Sequence, residues 1–121
     1  MLAMVRKRTD ILKDLVSFND DLTKLASELL AYPWDCDTPL LIITTLDLYK
    51  VLDKFKENAT DSKLVEEWAN LIECRDDLDF EEEIVKDIVY QLANPSLFEP
   101  STKNQLIRFL KRLESIPEGG R

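Results

Sequence analysis

The stretch Pro39–Glu57, PLLIITTLDLYKVLDKFKE, decides the fold because apolar residues occupy most of its length. Leu48, Leu52 and Phe55 recur at the spacing of one helical face, and other apolar residues extend around the circumference. A helix that is apolar nearly all round lies at the centre of a bundle. The apolar residues of this stretch are Leu40, Leu41, Ile42, Ile43, Leu46, Leu48, Tyr49, Val51, Leu52 and Phe55.

The start of this stretch has two interpretations. Thr38 and Pro39 match the N-cap and first position of a helix. The β-branched run LIITT, Leu41–Thr45, also fits a short strand. The helical spacing that continues through Phe55 favours the first interpretation, so the sequence predicts one central helix over about 39–57.

Helical periodicity recurs on both sides of this central stretch. Apolar residues at helical spacing fill 11–16, 22–30, 64–72, 84–92 and 106–113. The chain has only two glycines, Gly119 and Gly120, which is few for a fold of tight turns and hairpins. The sequence therefore predicts an all-α, single-domain bundle of about six helices. Its N-terminal helix falls within 1–18, and 116–121 form a frayed tail.

The charges of the chain are unevenly distributed. The net charge is −8 over 121 residues, and residues 17–100 carry 20 acids against seven bases. Both ends are basic, with a net charge of +2 over 1–16 and +3 over 101–121. An acidic body repels nucleic acid and attracts basic proteins. We therefore expect a basic protein partner and no direct binding of nucleic acid.

The N-terminus and the apolar runs indicate the compartment. No apolar run reaches the length of about 18 residues that a membrane span needs. The start, MLAMVRKRTD, lacks the features of a signal peptide. We expect a cytoplasmic protein with no membrane partner.

The chemistry available to the chain is narrow. It contains no histidine and no Gly-rich phosphate loop, so only carboxylate chemistry remains. A calcium loop starting at Asp77 fails because Glu82 stands where the turn needs Gly and Ile88 where calcium needs a bidentate Glu. We expect no catalytic residues, no metal and no cofactor, and therefore no enzyme. A carboxylate-dependent metal enzyme would instead retain divalent metal on purification.

The densest acidic stretch is LIECRDDLDFEEE, Leu71–Glu83, with seven carboxylates and one arginine. Asp79 is predicted to cap the helix that follows, with residues 81–83 in its first turn, where the helix dipole favours negative charge. Arg75 can pair with Glu73, Asp76 or Asp77 and fix the loop between two helices. We expect Glu73, Arg75 and Asp77 to be a structural lock, and the outward carboxylates to meet a basic partner.

The two tryptophans have different settings. Trp34 lies between two prolines in YPWDCDTP, beside Asp35 and Asp37, and an aromatic residue flanked by acids is typical of an interface anchor. The alternative is that Trp34 fills the end of the bundle. Trp68 falls on an apolar helical stripe and is expected in the core.

Three stretches carry a resemblance to a known group: YPWDCDTPL (32–40), VEEWANLIECRDDLDFE (65–81) and LANPSL (92–97). They resemble small bacterial proteins with the core E-E-W-A-N-x-I-E-x-R-D-D-I-x-[FY]-E, over residues 20–98. Cys74 and Leu78 depart mildly from that core. The group includes immunity proteins of contact-dependent growth inhibition systems, which bind and neutralise a toxin domain in the cytosol.

The resemblance implies a function and a contact surface. The shared core is expected to define the fold, which shifts the expected toxin contact toward acids outside it, such as Asp35, Asp37 and Glu82. The chain is thus expected to be an immunity protein, or antitoxin, that binds a cognate toxin domain, such as a nuclease of the RNase type. The alternative is a non-enzymatic helical adaptor or regulatory subunit with another basic partner. The predicted partner-binding residues are Trp34, Asp35, Asp37, Asp76, Asp79 and Glu82.

Overall fold

The computed structural model of the protein describes residues 6–33, 36–95 and 103–115. In these ranges the chain forms six helices and two three-residue strands, so the prediction of a mainly helical bundle is confirmed. In chain order the elements are α1 (Arg8–Ser17), α2 (Leu22–Leu29), β1 (Leu41–Ile43), α3 (Thr45–Glu57), α4 (Ser62–Glu73), β2 (Leu78–Phe80), α5 (Glu83–Ala93) and α6 (Lys103–Glu114).

The core lies where the apolar faces of the helices meet. Helix α4 packs against α5, α3 against α6, and α1 against α2 and α3. Trp68 is fully buried, as its helical spacing predicts, and its indole nitrogen donates a hydrogen bond of 2.7 Å to the carbonyl oxygen of Leu15. The rings of Phe55 and Trp68 meet edge to face at 5.3 Å. These contacts join α1, α3 and α4 around one centre.

The central helix begins later than predicted. Helix α3 starts at Thr45, and Thr44 is its N-cap in a reciprocal capping box with Asp47, with both hydrogen bonds 3.0 Å long. The prediction that Thr38 and Pro39 start a helix is therefore wrong. Leu41–Ile43 form a strand instead, because they pair with a distant segment that helical spacing does not reveal.

That segment is β2, which runs parallel to β1. The register pairs Leu41 with Leu78, Ile42 with Asp79 and Ile43 with Phe80. Ile43 points into the core and is fully buried, while Ile42 between its neighbours is exposed. The strands thus tie the segment before α3 to the segment between α4 and α5.

The strand β2 also changes the predicted start of α5. Asp79 lies in β2 and does not cap the helix, so that prediction is wrong. Glu82 occupies the N-cap position without a side-chain cap hydrogen bond, and of residues 81–83 only Glu83 lies in the first turn. The extended pairing of residues 78–80 moves Asp79 away from the helix terminus.

The ends of the chain differ from the prediction in extent. The N-terminal helix predicted within 1–18 covers Arg8–Ser17, and residues 6 and 7 precede it in non-helical conformation. The Lys54 ammonium donates to the carbonyl oxygens of Ser17 at 3.3 Å and Phe18 at 2.8 Å, which closes the C-terminal end of α1. The predicted frayed tail, 116–121, lies outside the described residues.

Candidate functional site

The acidic segment, defined as residues 73–83, connects the end of α4 to the start of α5 through β2. Its side chains divide into one buried carboxylate and several outward ones. Asp77 is fully buried, whereas Asp76 and Asp79 on either side are exposed. The two kinds of carboxylate therefore have different roles, although the sequence places them side by side.

Asp77 is held by two arginines. Arg75 donates from Nε to Oδ1 at 2.9 Å and from Nη2 to Oδ2 at 2.8 Å, a bidentate ion pair. Arg8, at the start of α1, donates from Nε to Oδ2 at 2.8 Å. The Arg75 and Arg8 side chains are only 9% and 14% exposed, so water screens these contacts weakly. Charge-assisted hydrogen bonds in such surroundings are the strong ones.

The surroundings of Arg8 extend this ion-pair cluster to a third part of the chain. Arg8 Nη2 donates to the carbonyl oxygen of Pro33 at 2.6 Å, and its guanidinium lies 5.8 Å from the centre of the Tyr32 ring. The backbone carbonyl of Asp77 accepts the N–H of Leu40 at 2.8 Å. Asp77 thus joins α1, the segment after α2, and the approach to β1.

The ionisation of Asp77 follows from these contacts. Burial by itself raises the pKa of the Asp77 carboxyl, but the hydrogen bonds and positive charges of Arg75 and Arg8 outweigh it and hold the pKa below its ordinary value. The carboxylate is therefore ionised in the folded protein. Both of its oxygens accept hydrogen bonds from the two arginines.

Glu73 was expected in the same cluster, but the structure places it elsewhere. Its carboxylate lines a cleft with Phe80, Glu83 and Tyr90, and Arg75 pairs with Asp77. Desolvation in this cleft raises the pKa of Glu73, and a hydrogen bond with Asn94 opposes the shift. Of the three residues predicted as a lock, the structure joins Arg75 and Asp77 and leaves Glu73 at the end of α4.

The remaining acids of the segment face outward. Asp76, Asp79, Glu81 and Glu83 are exposed, and Glu82 is half-buried. Asp79 accepts the N–H of Phe80 at 2.8 Å, and Glu81 accepts the N–H of Thr45 at 3.0 Å. Across 6–33, 36–95 and 103–115, none of these five acids forms an ion pair with a basic side chain. Among the described residues, no basic side chain therefore neutralises their negative charge through an ion pair.

The other predicted partner-binding residues lie in the segment between α2 and β1. Asp37 is exposed, three residues before Leu40, whose N–H bonds to the carbonyl oxygen of Asp77. Trp34 and Asp35 lie outside the described residues, so both remain predictions. The hydrogen bond from Leu40 brings the Asp37 segment alongside the start of β2.

Two sets of functional residues were missed from the sequence. Arg8 binds a carboxylate 69 positions away, and nothing in the N-terminal stretch distinguishes it from its basic neighbours. Leu40 and Ile42 were assigned to a buried helix, but they are 40% and 54% exposed. All four residues from Leu40 to Ile43 are apolar, so the sequence carries no alternation that would distinguish exposed Ile42 from buried Ile43.

Neither a metal-binding cluster nor a membrane-spanning helix is found among the described residues. In that part of the chain no group of three His, Cys, Asp or Glu residues is placed to hold a metal ion. Among the same residues, no helix has the length and apolar character needed to cross a membrane. Comparisons with protein families, curated proteins and solved structures found no match to this chain.

Proposed function

We propose that this chain is an immunity protein that binds a cognate bacterial toxin domain and neutralises it. The observation that carries the proposal is the group of five acids, Asp76, Asp79 and 81–83, four of them exposed and Glu82 half-buried, without a basic partner among the described residues. Neighbouring like charges repel one another in the free protein, and a basic partner relieves that repulsion. The resemblance of residues 20–98 to a group that includes growth-inhibition immunity proteins supports a toxin domain as this partner.

The negative charge of this surface favours a nuclease as the toxin domain. A nuclease, such as an RNase, binds the phosphates of its substrate with lysine and arginine. A surface of uncompensated carboxylates attracts the same basic groups, speeds association and occludes the substrate groove. The protein itself then performs no reaction and needs no cofactor, because occupancy of the groove is sufficient.

The buried carboxylate has a separate part in this proposal. Asp77 is neutralised by Arg8 and Arg75, so its role is to hold the segment in its folded conformation. The neighbouring acids make the contact with the toxin domain. We assign toxin contact to Asp76, Asp79 and Glu82, together with Asp37. Trp34 and Asp35 join them as predicted contacts from the segment between α2 and β1.

The experiment is co-expression in the cytoplasm with the toxin domain encoded immediately upstream of this chain. The proposal predicts that cells survive with the wild-type chain and die without it. Death in the presence of well-expressed wild-type chain overturns the proposal. A neighbouring gene that encodes no toxin would favour the alternative, an adaptor for another basic protein.

A charge-matched pair of variants tests the assigned surface. The double variant Asp76→Lys with Asp79→Lys reverses two outward acids, whereas Asp10→Lys with Glu67→Lys makes the same change in net charge on α1 and α4. We expect the first variant to lose protection and the second to retain it. Equal protection by both would exclude Asp76 and Asp79 from the contact.

A further inference from the structure

The strand β1 presents apolar side chains to solvent. Leu40, directly before the strand, is 40% exposed and Ile42 within it is 54% exposed. Leu40 lies in a bend and Ile42 in the strand, and both contribute apolar surface within three consecutive residues. Single exposed apolar residues are common on protein surfaces, but a contiguous group bordered by polar residues marks an interaction site.

The border of this apolar area comes from β2. Asp79 is the register partner of Ile42, so the two side chains stand side by side on the exposed face. Glu81 follows two residues later; its N–H donates to the carbonyl oxygen of Ile43 at 2.9 Å. We define the sheet face as Leu40, Ile42, Asp79 and Glu81. Ile42 and Asp79 lie in the paired strands, Leu40 directly precedes β1, and Glu81 directly follows β2.

The middle residue of β1 directs its backbone groups to the side away from β2. Leu41 donates to the carbonyl oxygen of Asp77 at 3.2 Å, and Ile43 accepts from Glu81, so both odd-numbered residues bond toward β2. In a parallel pair the intervening residue directs its N–H and C=O to the other side. Within the described residues the sheet contains β1 and β2 alone, so no strand pairs with the other side of β1. An unpaired strand edge is a template for another extended chain.

We propose that the sheet face is the centre of the docking surface for the toxin domain. This inference rests on the proposed function and assigns its contact to a definite place. The occupant is an extended basic segment of the toxin domain, lying along β1. An apolar side chain of that segment covers Ile42, and its lysine or arginine side chains reach Asp79 and Glu81. An apolar centre within a polar rim is the usual anatomy of an interface.

Charge complementarity selects this occupant over a second copy of the chain. Two copies brought together at the sheet face would place Asp79 and Glu81 of each near the same carboxylates of the other. Like charges facing each other across an interface oppose association. A basic segment instead satisfies two carboxylates that have no basic partner within the described part of the chain.

The experiment measures the dissociation constant of purified protein and the upstream-encoded toxin domain by calorimetry. Ile42→Ala removes most of the apolar centre, and Leu30→Ala is its matched control, an 85% exposed leucine at the end of α2. We expect Ile42→Ala to weaken binding about tenfold or more and Leu30→Ala to change it by less than about twofold. Ile42→Thr retains the β-branched shape that suits a strand, and we expect the same loss.

A second pair of variants tests the carboxylates that border the apolar residues of the sheet face. Asp79→Asn removes one charge from the sheet face, and Glu67→Gln removes one from an exposed position on α4. We expect only Asp79→Asn to reduce the dependence of the association rate on salt concentration. If the wild-type chain binds the toxin domain and Ile42→Ala, Ile42→Thr and Asp79→Asn change neither the affinity nor the salt dependence of the association rate, the sheet face is not the docking surface. That result would leave the proposed immunity function intact. Failure of the wild-type chain to bind the toxin domain overturns both.

Discussion

Asp76 and Asp77 are adjacent in sequence and opposite in environment. Asp76 is exposed and forms no ion pair within the described residues, whereas Asp77 is fully buried between Arg8 and Arg75. The presence of Arg75 two positions away makes a local ion pair predictable. The choice of Asp77 as its partner, and the second arginine from α1, depend on tertiary packing. The sequence therefore predicted an ion pair of Arg75 with a nearby acid, but it did not predict the ion pair between Arg8 and Asp77.

The first prediction contrasts these two aspartates. Asp77→Asn keeps the shape of the side chain but removes the negative charge that the poorly solvated guanidinium groups of Arg8 and Arg75 contact. We expect it to lower the free energy of unfolding by about 3 kcal/mol, as for other broken buried ion pairs. Asp76→Asn is the control and should change that free energy by less than about 0.5 kcal/mol. Urea denaturation measures both, and equal effects would contradict the assigned role of Asp77.

The second prediction concerns acid. The pKa of Asp77 in the folded protein lies below its ordinary value of 3.8, so the folded state binds this proton more weakly than the unfolded chain. The stabilisation from ionised Asp77 is complete above that ordinary value and is lost as the pH falls through the folded pKa. The difference in unfolding free energy between wild type and Asp77→Asn should be constant near neutrality and narrow below about pH 4. A difference that is unchanged in acid would refute this linkage.

At the scale of elements, the helices were largely predictable and the strands were not. Helices α4 and α5 have apolar residues at regular spacing along their whole length, so local pattern indicates them. Strands β1 and β2 have three residues each and are separated by α3 and α4. Their existence depends on pairing between positions such as Leu41 and Leu78, which no local window contains.

The start of α3 shows why one local rule failed and another would have succeeded. Thr38–Pro39 matches a helix start, but the pairing of the next residues with β2 keeps them extended. Thr44, with Asp47 three positions later, is the sequence pattern of a capping box. The true boundary was therefore present in the sequence, next to a stronger but misleading proline signal.

The third prediction tests that boundary. Thr44→Ala removes the hydroxyl that accepts the N–H of Asp47, and we expect it to lower the free energy of unfolding by about 1 kcal/mol. Thr38→Ala alters the threonine that the sequence alone suggested as the cap. It is exposed and should have an effect of less than about 0.5 kcal/mol. A larger loss for Thr38→Ala than for Thr44→Ala would mean that α3 begins earlier.

At the scale of the whole molecule, charge and surface shape act together. The net charge of −8 predicted a basic partner, but composition does not say where the partner docks. The fold adds that information, because β1 brings the exposed apolar residue Ile42 beside Asp79. The surface that we assign to the toxin thus arises from two segments that are 37 positions apart, which explains why the sequence identified the acids and missed the apolar centre.

The central claim is that this chain neutralises a toxin domain by binding it. The most direct measurement is a calorimetric titration of the purified upstream-encoded toxin domain into the wild-type protein at physiological salt. The account predicts a saturable 1:1 complex with a dissociation constant of about 1 nM or lower, weakened as salt is added. Absence of binding, or binding that salt does not weaken, would contradict it.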